Sequence, residues 1–242
     1  MVNITTFLDE NIKKSSKPIF QCPDRNKQYN RSEILGIISG IASILKKFGV
    51  SKGDRVIIYI NSSPEYLFSY LAIWRIGAIA VPTNRVYTKS ELEYIIRNSE
   101  PKLIITDTDG KHTLNDLDVE LYVPENIDSF KNSPIIQPEP TTDTDICQIQ
   151  YTSGTTGSPK GAILTHGNWI SATTNESNIL KLKDTDVYLG IYPMGHVGLS
   201  WGISAIKTGA CYVMIDRYNK DKYIELCDKY KVTILSSMPP VI

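Results

Sequence analysis

Long apolar runs are missing from this 242-residue sequence. No stretch approaches the ~20 apolar residues that cross a bilayer. The first residues, MVNITTFLDENIKK, carry charges where a signal peptide needs an apolar run. An excess of one charge is missing too: 26 Lys and Arg cancel 26 Asp and Glu. That excludes a nucleic-acid binder working through bulk positive charge, though not a local anion site. Cysteine is scarce. Cys22, Cys147, Cys211 and Cys227 form no C-x-x-C pair and have no histidine at ligand spacing. Structural zinc is therefore not expected, and reduced, mostly buried thiols are. Internal repeats and low-complexity tracts are absent as well. These absences leave a soluble, cytoplasmic globular protein, and 41% hydrophobic with 21% charged residues is ordinary for that class. The length suffices for one large domain or two modest ones.

What is present is a rhythm of short β-branched runs and amphipathic helical stretches. Ile34, Ile38, Ile41, Leu45 and Phe48 follow helical spacing, with Asn30 and Glu33 as a capping box and Gly49 as the stop. Residues 55–60, RVIIYI, read as a buried strand. Pro64 begins a helix whose inner face is Leu67, Tyr70, Leu71 and Trp74, closing at Gly77. A strand follows at 79–81. Thr88 and Glu91 make a second capping box for a helix to about Asn98, and 103–105 is another strand. From about 111 to 142 the rhythm breaks. Pro124, Pro134, Pro138 and Pro140 mark a connection running over the surface, with one short strand near 121–123. Strands at 146–151, 187–191, 211–215 and 232–235 then alternate with helices near 167–180, 199–207 and 221–230. The expected fold class is α/β, with layered, mostly parallel sheets flanked by helices and right-handed crossovers. The chain divides into residues 1–142, an N-terminal α/β subdomain, and 143–242, a second α/β subdomain.

Between two of these runs lies YTSGTTGSPKGA, residues Tyr151–Ala162. Its hydroxyls and glycines surround one lysine, with no acid. A loop that wraps a polyphosphate needs bare backbone amides, which glycine supplies at Gly154, Gly157 and Gly161. Ser153, Thr155, Thr156 and Ser158 add hydroxyl donors, and Lys160 adds a charge held by the turn-forming Pro159. A flexible linker has similar composition. Here, however, the strand ICQIQY precedes the loop directly and the apolar AIL follows it. A Walker-type P-loop fails twice: Pro159 stands where its second glycine belongs, and Gly161 where its hydroxyl belongs.

YTSGTTGSPKGAILTH resembles the signature phosphate loop of the adenylate-forming (AMP-binding) superfamily, close to [YF]-T-S-G-[ST]-T-G-x-P-K-G, and meets every specified position. GVSKGDRVIIYINSSPEYLFSYLAIWRIGAIAVPTN, TKSELEYIIRNSEPKLIITD, LGIYPMGHVGL and KYKVTILSSMPPVI resemble further segments of the same family. The resemblance implies part of the large N-terminal domain of that fold. It also implies an activity of the acyl-CoA synthetase, or fatty-acid–CoA ligase, kind, in which a carboxylate and ATP give an acyl-adenylate and pyrophosphate and the acyl group then passes to coenzyme A. The implied small molecules are a carboxylate, ATP with Mg²⁺, and coenzyme A. Carried over residue by residue, Thr152, Ser153, Gly154, Thr155, Thr156, Gly157 and Lys160 bind the ATP phosphates. Lys160 and His196 serve catalysis, the histidine near the carboxylate and α-phosphate. Gly195, Gly198 and Trp201, with Leu199, line the acyl pocket. Gly195 departs from the pattern, since many acyl-CoA synthetases carry a bulky residue there, and it leaves more open volume. The family's metal-binding Glu belongs to a Tyr-Gly-x-Thr-Glu stretch that does not occur before Ile242, so the metal ligands are unknown. His166, in the family's T-H-x-N stretch, is expected to be structural, and His112 solvated.

Four later family elements do not occur before Ile242: the Tyr-Gly-x-Thr-Glu and Thr-Gly-Asp stretches, the hinge, and the small domain with its lysine. The expectation is the N-terminal half of a longer synthetase, inactive alone. Two alternatives stay open: a non-catalytic binding or interaction module that keeps the fold, and an adenylating enzyme with an acceptor other than coenzyme A. Apolar surface that the missing half would cover offers a place for self-association or a separate partner.

Overall fold

The computed structural model describes residues 2–9, 17–83, 85–152, 159–195, 197–216 and 218–235, with Val197 through its backbone alone. A 3-10 turn, Ile4–Leu8, leads to the strands β1 (Pro18–Cys22) and β2 (Lys27–Asn30). Next come α1 (Arg31–Lys47), β3 (Arg55–Tyr59), α2 (Pro64–Arg75), β4 (Ile79–Pro82), α3 (Lys89–Ser99) and β5 (Leu103–Thr106). α4 (Thr108–Leu114) and β6 (Leu121–Tyr122) follow, then β7 (Ile146–Thr152), β8 (Lys160–Thr165) and α5 (His166–Ile179). The chain continues through β9 (Val187–Gly190), α6 (Val197–Thr208), β10 (Cys211–Met214), α7 (Lys220–Lys229) and β11 (Ile234–Leu235).

Among the described residues, eleven strands form two sheets, ordered β6-β5-β3-β4-β7-β8 and β11-β9-β10-β1-β2. All pairings are parallel except β1–β2 and β7–β8, each an antiparallel pair at one edge. The α/β fold with mostly parallel sheets is thus the one the periodicity implied. The sheets also exchange strands across residue 142. β1 and β2 join the sheet built from residues 187–235, and β7 and β8 join the sheet begun by β3.

Capping chemistry starts the helices as the sequence indicates. Asn30 and Glu33 exchange backbone and side-chain bonds at the start of α1, and Thr88 and Glu91 do so for α3. α2 begins with Ser63 as cap and Pro64 in its first turn. α2 is the centre of the molecule: every residue from Tyr66 to Arg75 is buried. Trp74 Nε1 donates to Cys147 O at 2.8 Å, tying α2 to β7, and its ring packs on Tyr70 and Trp169 at 4.7 and 4.9 Å. Arg75 is fully buried, and its guanidinium donates to both carboxylate oxygens of Asp9 at 3.0 and 2.7 Å. A buried charge is tolerated only with such a partner.

Residues 111–142 are more ordered than the prolines suggest. Asp107 caps α4 by accepting from Gly110 N–H at 2.7 Å. Downstream, the 3-10 turn Ile127–Phe130 docks on α1. A Cβ on Gly36 would sit 2.1 Å from Lys131 O, and one on Gly40 2.5 Å from the Phe130 side chain. Two helical glycines four residues apart therefore make the groove that holds this segment. β8 departs from expectation in the other direction. It pairs with β7 along its whole length, but Lys160–Ile163 are exposed, Ile163 by 58%. Backbone hydrogen bonds hold its exposed half, and Leu164 packs on the core at its end.

Candidate functional site

Five of the parallel strands, drawn from both sheets, run toward a cleft of about 990 Å³. Its lining comes from the segments just after β1 (Asp24, Arg25), β3 (Asn61, Ser62), β4 (Thr83, Arg85), β9 (Pro193, Gly195) and β10 (Asp216, Asn219), with Tyr66 of α2 and Gln150 of β7. Ligand crevices in open α/β sheets lie at these carboxyl ends, where loops replace the ladder and backbone groups are free to bind. Met194 N–H donates to Ser62 Oγ at 2.9 Å, which fixes the segment after β9 against the segment after β3 and sets Gly195 on the cleft wall.

The glycine-rich loop interrupts the β7–β8 pair. Thr152 and Lys160 are its last register partners, so these two residues bracket the loop. Tyr151 anchors the base: its hydroxyl donates to Asn98 Oδ1 of α3 at 2.5 Å. Gly161 has a packing duty of its own, since a Cβ there would meet Ile149 Cγ2 at 2.7 Å and Tyr151 at 3.4 Å. Thr152 and Lys160 are both exposed. Ser153, Gly154, Thr155, Thr156, Gly157 and His196, whose phosphate and carboxylate roles the family resemblance implies, lie outside the described residues.

Of the expected acyl-pocket residues, Gly195 lines the cleft. Among the described residues other than its chain neighbours, a Cβ placed on it would meet Tyr66 Oη at 3.6 Å, an ordinary contact. Gly198 and Trp201 are not in the cleft lining. Gly198 lets α6 approach the turn before it, because a Cβ would sit 2.3 Å from Tyr192 O. The Trp201 ring stacks on Tyr188 of β9 at 6.1 Å.

The cleft also gathers charges that no motif announces. Lys222 pairs with Asp24, and Arg25 reaches Asp216 at 3.3 Å and Glu65 at 3.7 Å. Arg85 lies 4.4 Å over the Tyr59 ring and 3.4 Å from Asp107. Each cation has an acid beside it, so a bound anion would compete with partners already in place. Among the described residues no group of three or more His, Cys, Asp or Glu is arranged to hold a metal. No helix among them is long and apolar enough to cross a membrane.

His166 belongs to the scaffold. It is fully buried, and its Nδ1 accepts from Ile4 N–H at 3.2 Å, fastening the N-terminal turn to α5. Burial pushes its pKa down to about 4. The cap of that helix is Thr165, boxed with Asn168. His112 is exposed, on α4.

A family model described as AMP-binding enzyme matches residues 9–242. Among curated proteins, the chain is similar to a crotonobetaine/carnitine–CoA ligase of Escherichia coli O127:H6, 28% identical over 237 residues, which cover 89% of this chain and 46% of that protein. It is also similar to 4-coumarate–CoA ligase 3 of Arabidopsis thaliana, 29% identical over 248 residues, covering 94% and 44%. The chain thus spans about half the length of these relatives. Among solved structures, apo MatB from Rhodopseudomonas palustris superposes with a TM-score of 0.89 at 24% identity, over 99% of this chain and 50% of that one. The inhibitor-bound N-terminal domain of FACL13 from Mycobacterium tuberculosis gives 0.90 at 24% identity, over 100% and 64%. At such identities the structural likeness speaks to the fold.

Proposed function

The chain belongs to the AMP-binding enzyme family, and on that premise we propose that the whole protein is an ATP-dependent acid–thiol ligase. It joins a carboxylate to ATP, releases pyrophosphate, and passes the acyl group from the adenylate to coenzyme A. That the curated relatives are CoA ligases favours coenzyme A over another acceptor. The observation that carries the proposal is the β7–β8 pair, whose register places Thr152 and Lys160 on either side of the glycine-rich loop at the sheet end.

In this reading a carboxylate oxygen attacks the α-phosphorus, and the bond to the bridging oxygen of pyrophosphate breaks. Charge accumulates on the departing phosphates. Thr152, the amides and hydroxyls of residues 153–157, and the Lys160 ammonium are the donors that receive it, with Thr152 and Lys160 held by the ladder. Magnesium bound with the nucleotide adds positive charge at the same phosphates. His196 holds the carboxylate beside Gly195. Four free cysteines suit a reducing, cytoplasmic setting where ATP and coenzyme A are both at hand.

The test is carboxylate-dependent exchange of labelled pyrophosphate into ATP by the complete protein. Acid-dependent exchange that falls by roughly 10²-fold or more in Lys160→Ala is expected. No exchange with any acid, or full exchange by the variant, contradicts the proposal. Assayed alone, the 242-residue chain is expected to show no exchange.

A further inference from the structure

Strand β7 carries two glutamines on one face, and a tryptophan fixes which way both point. Trp169 Nε1–H of α5 donates to Gln148 Oε1 at 2.7 Å, and Gln148 Nε2–H donates to Gln150 Oε1 at 2.9 Å. An indole nitrogen can only donate, so each link of this chain has one allowed direction. Turning either amide over would set like against like, two donors or two oxygens. Trp169 is 8% and Gln148 4% exposed, so a reversed link would leave buried polar groups unpaired. The chain therefore ends on the Gln150 amino group. Among the described residues its two hydrogens meet one loose acceptor, Tyr151 O at 3.4 Å. Gln150 itself is half-buried and lines the cleft.

Its position along the strand says what it faces. Side chains alternate, so Gln148, Gln150 and Thr152 share one face of β7, and Lys160 stands opposite Thr152. Gln150 thus lies about 7 Å along the strand from the position proposed to meet the phosphates. In an in-line displacement the attacking oxygen and the departing pyrophosphate lie on opposite sides of the phosphorus. The carboxylate therefore belongs one step away from the departing phosphates, and Gln150 stands at such a step on the cleft wall. The cleft's cations are a poor match for that carboxylate. Arg25, Arg85 and Lys222 each already pair with an acid. An ion pair would also stabilise the carboxylate before it attacks and so raise the barrier. A neutral N–H holds one oxygen and leaves the other free to react.

Resting on the ligase reading, which supplies the acid and the nucleotide, we infer that Gln150 binds the substrate carboxylate. Its Nε2–H donates to one carboxylate oxygen, in the direction that Trp169 imposes through Gln148. Once the adenylate has formed, the same donor faces the acyl carbonyl oxygen, the atom that gains charge when a thiol attacks. Gln148 and Trp169 act through Gln150 and are positioning residues.

The complete protein is first offered acetate, butanoate, octanoate, benzoate and 4-coumarate in the pyrophosphate exchange assay, and the most active acid becomes the probe. Calorimetry then measures binding of an α,β-methylene ATP analogue alone, and of the probe acid in its presence. Gln150→Met keeps the length of the side chain and removes the amino group. It is expected to weaken the acid roughly tenfold or more, the size of one hydrogen bond to a charged acceptor, and to leave the nucleotide alone within about twofold. Gln150→Glu keeps an acceptor for Gln148 and puts an oxygen where the donor stood. Two carboxylates in one site do not both stay ionised. Acid binding to this variant is therefore expected to be weaker and to take up one proton, read as a measured heat that depends on the buffer's ionisation enthalpy. The wild type is expected to take up none. Three results overturn the inference: unchanged acid affinity in Gln150→Met, equal weakening of the nucleotide alone, or acid bound by Gln150→Glu as tightly as by wild type without a proton. Any of these in a protein that exchanges pyrophosphate contradicts the role of Gln150 and not the ligase reading. Exchange with none of the acids contradicts that reading, and the inference with it.

Discussion

Helix α2 and the β7–β8 pair are neighbours in the fold and opposites in construction. α2 is buried from Tyr66 through Arg75 and is held by aromatic packing, the ion pair of the buried Arg75 with Asp9, and side-chain bonds to distant carbonyls. β8 is exposed along Lys160–Ile163 and is held by a ladder to one strand. The proposed chemistry sits on the exposed element and the stability in the buried one. The β7–β8 ladder holds Thr152 and Lys160 in register, and the buried body beside it supplies the rigidity. Substitutions in the two regions should therefore separate stability from activity.

Trp74→Ala is the severest test of the buried side. It removes a fully buried indole, its bond to Cys147 O and two ring contacts, and is expected to cost about 3–5 kcal/mol in denaturant unfolding. Acidification comes next. The His166 pKa of about 4 lies below its ordinary 6.5, so the folded state resists protonation. Stability from this group is fully present above pH 6.5 and is lost as pH falls toward 4, by about 2 kcal/mol at pH 5 and about 3 kcal/mol in all. Unfolding at pH 7 and pH 5, with and without His166→Gln, checks it: the variant should lose this part of the pH dependence. Gly40→Ala drives a methyl into the Phe130 ring and is expected to cost about 1–3 kcal/mol. A neutral result would mean that 127–130 shifts freely on α1. Smallest in stability is Lys160→Ala, expected within about 0.5 kcal/mol of wild type because the side chain is exposed, although it is the variant that should cripple exchange. A large loss of stability there would break the separation.

What could be read from the sequence follows from how local each signal is. α1, α2 and α3 are announced by Asn30 with Glu33, by Pro64 and by Thr88 with Glu91, all within one helical turn of the element they start. α4 is hidden because TDTDG reads as turn chemistry, and only the bond from Gly110 N–H to Asp107 reveals the cap. The dock on α1 needs Gly36 and Gly40 to be seen as a groove rather than as weak helix formers. β1 and β2 pass unseen as well, since β1 pairs with β10 nearly two hundred residues away, Phe20 opposite Tyr212. The same distance conceals the cleft. Arg25, Glu65 and Asp216 come from three remote segments and meet only once β1 and β10 lie side by side. The glycine-rich loop is the exception: the whole set of small residues lies within one short stretch of chain.

The most direct measurement is a crystal structure of the complete protein with an α,β-methylene ATP analogue. The triphosphate is expected beside Thr152 and Lys160, with the Lys160 ammonium in hydrogen-bond reach of a phosphate oxygen. Phosphates bound elsewhere, with Thr152 and Lys160 facing solvent, would contradict the phosphate role.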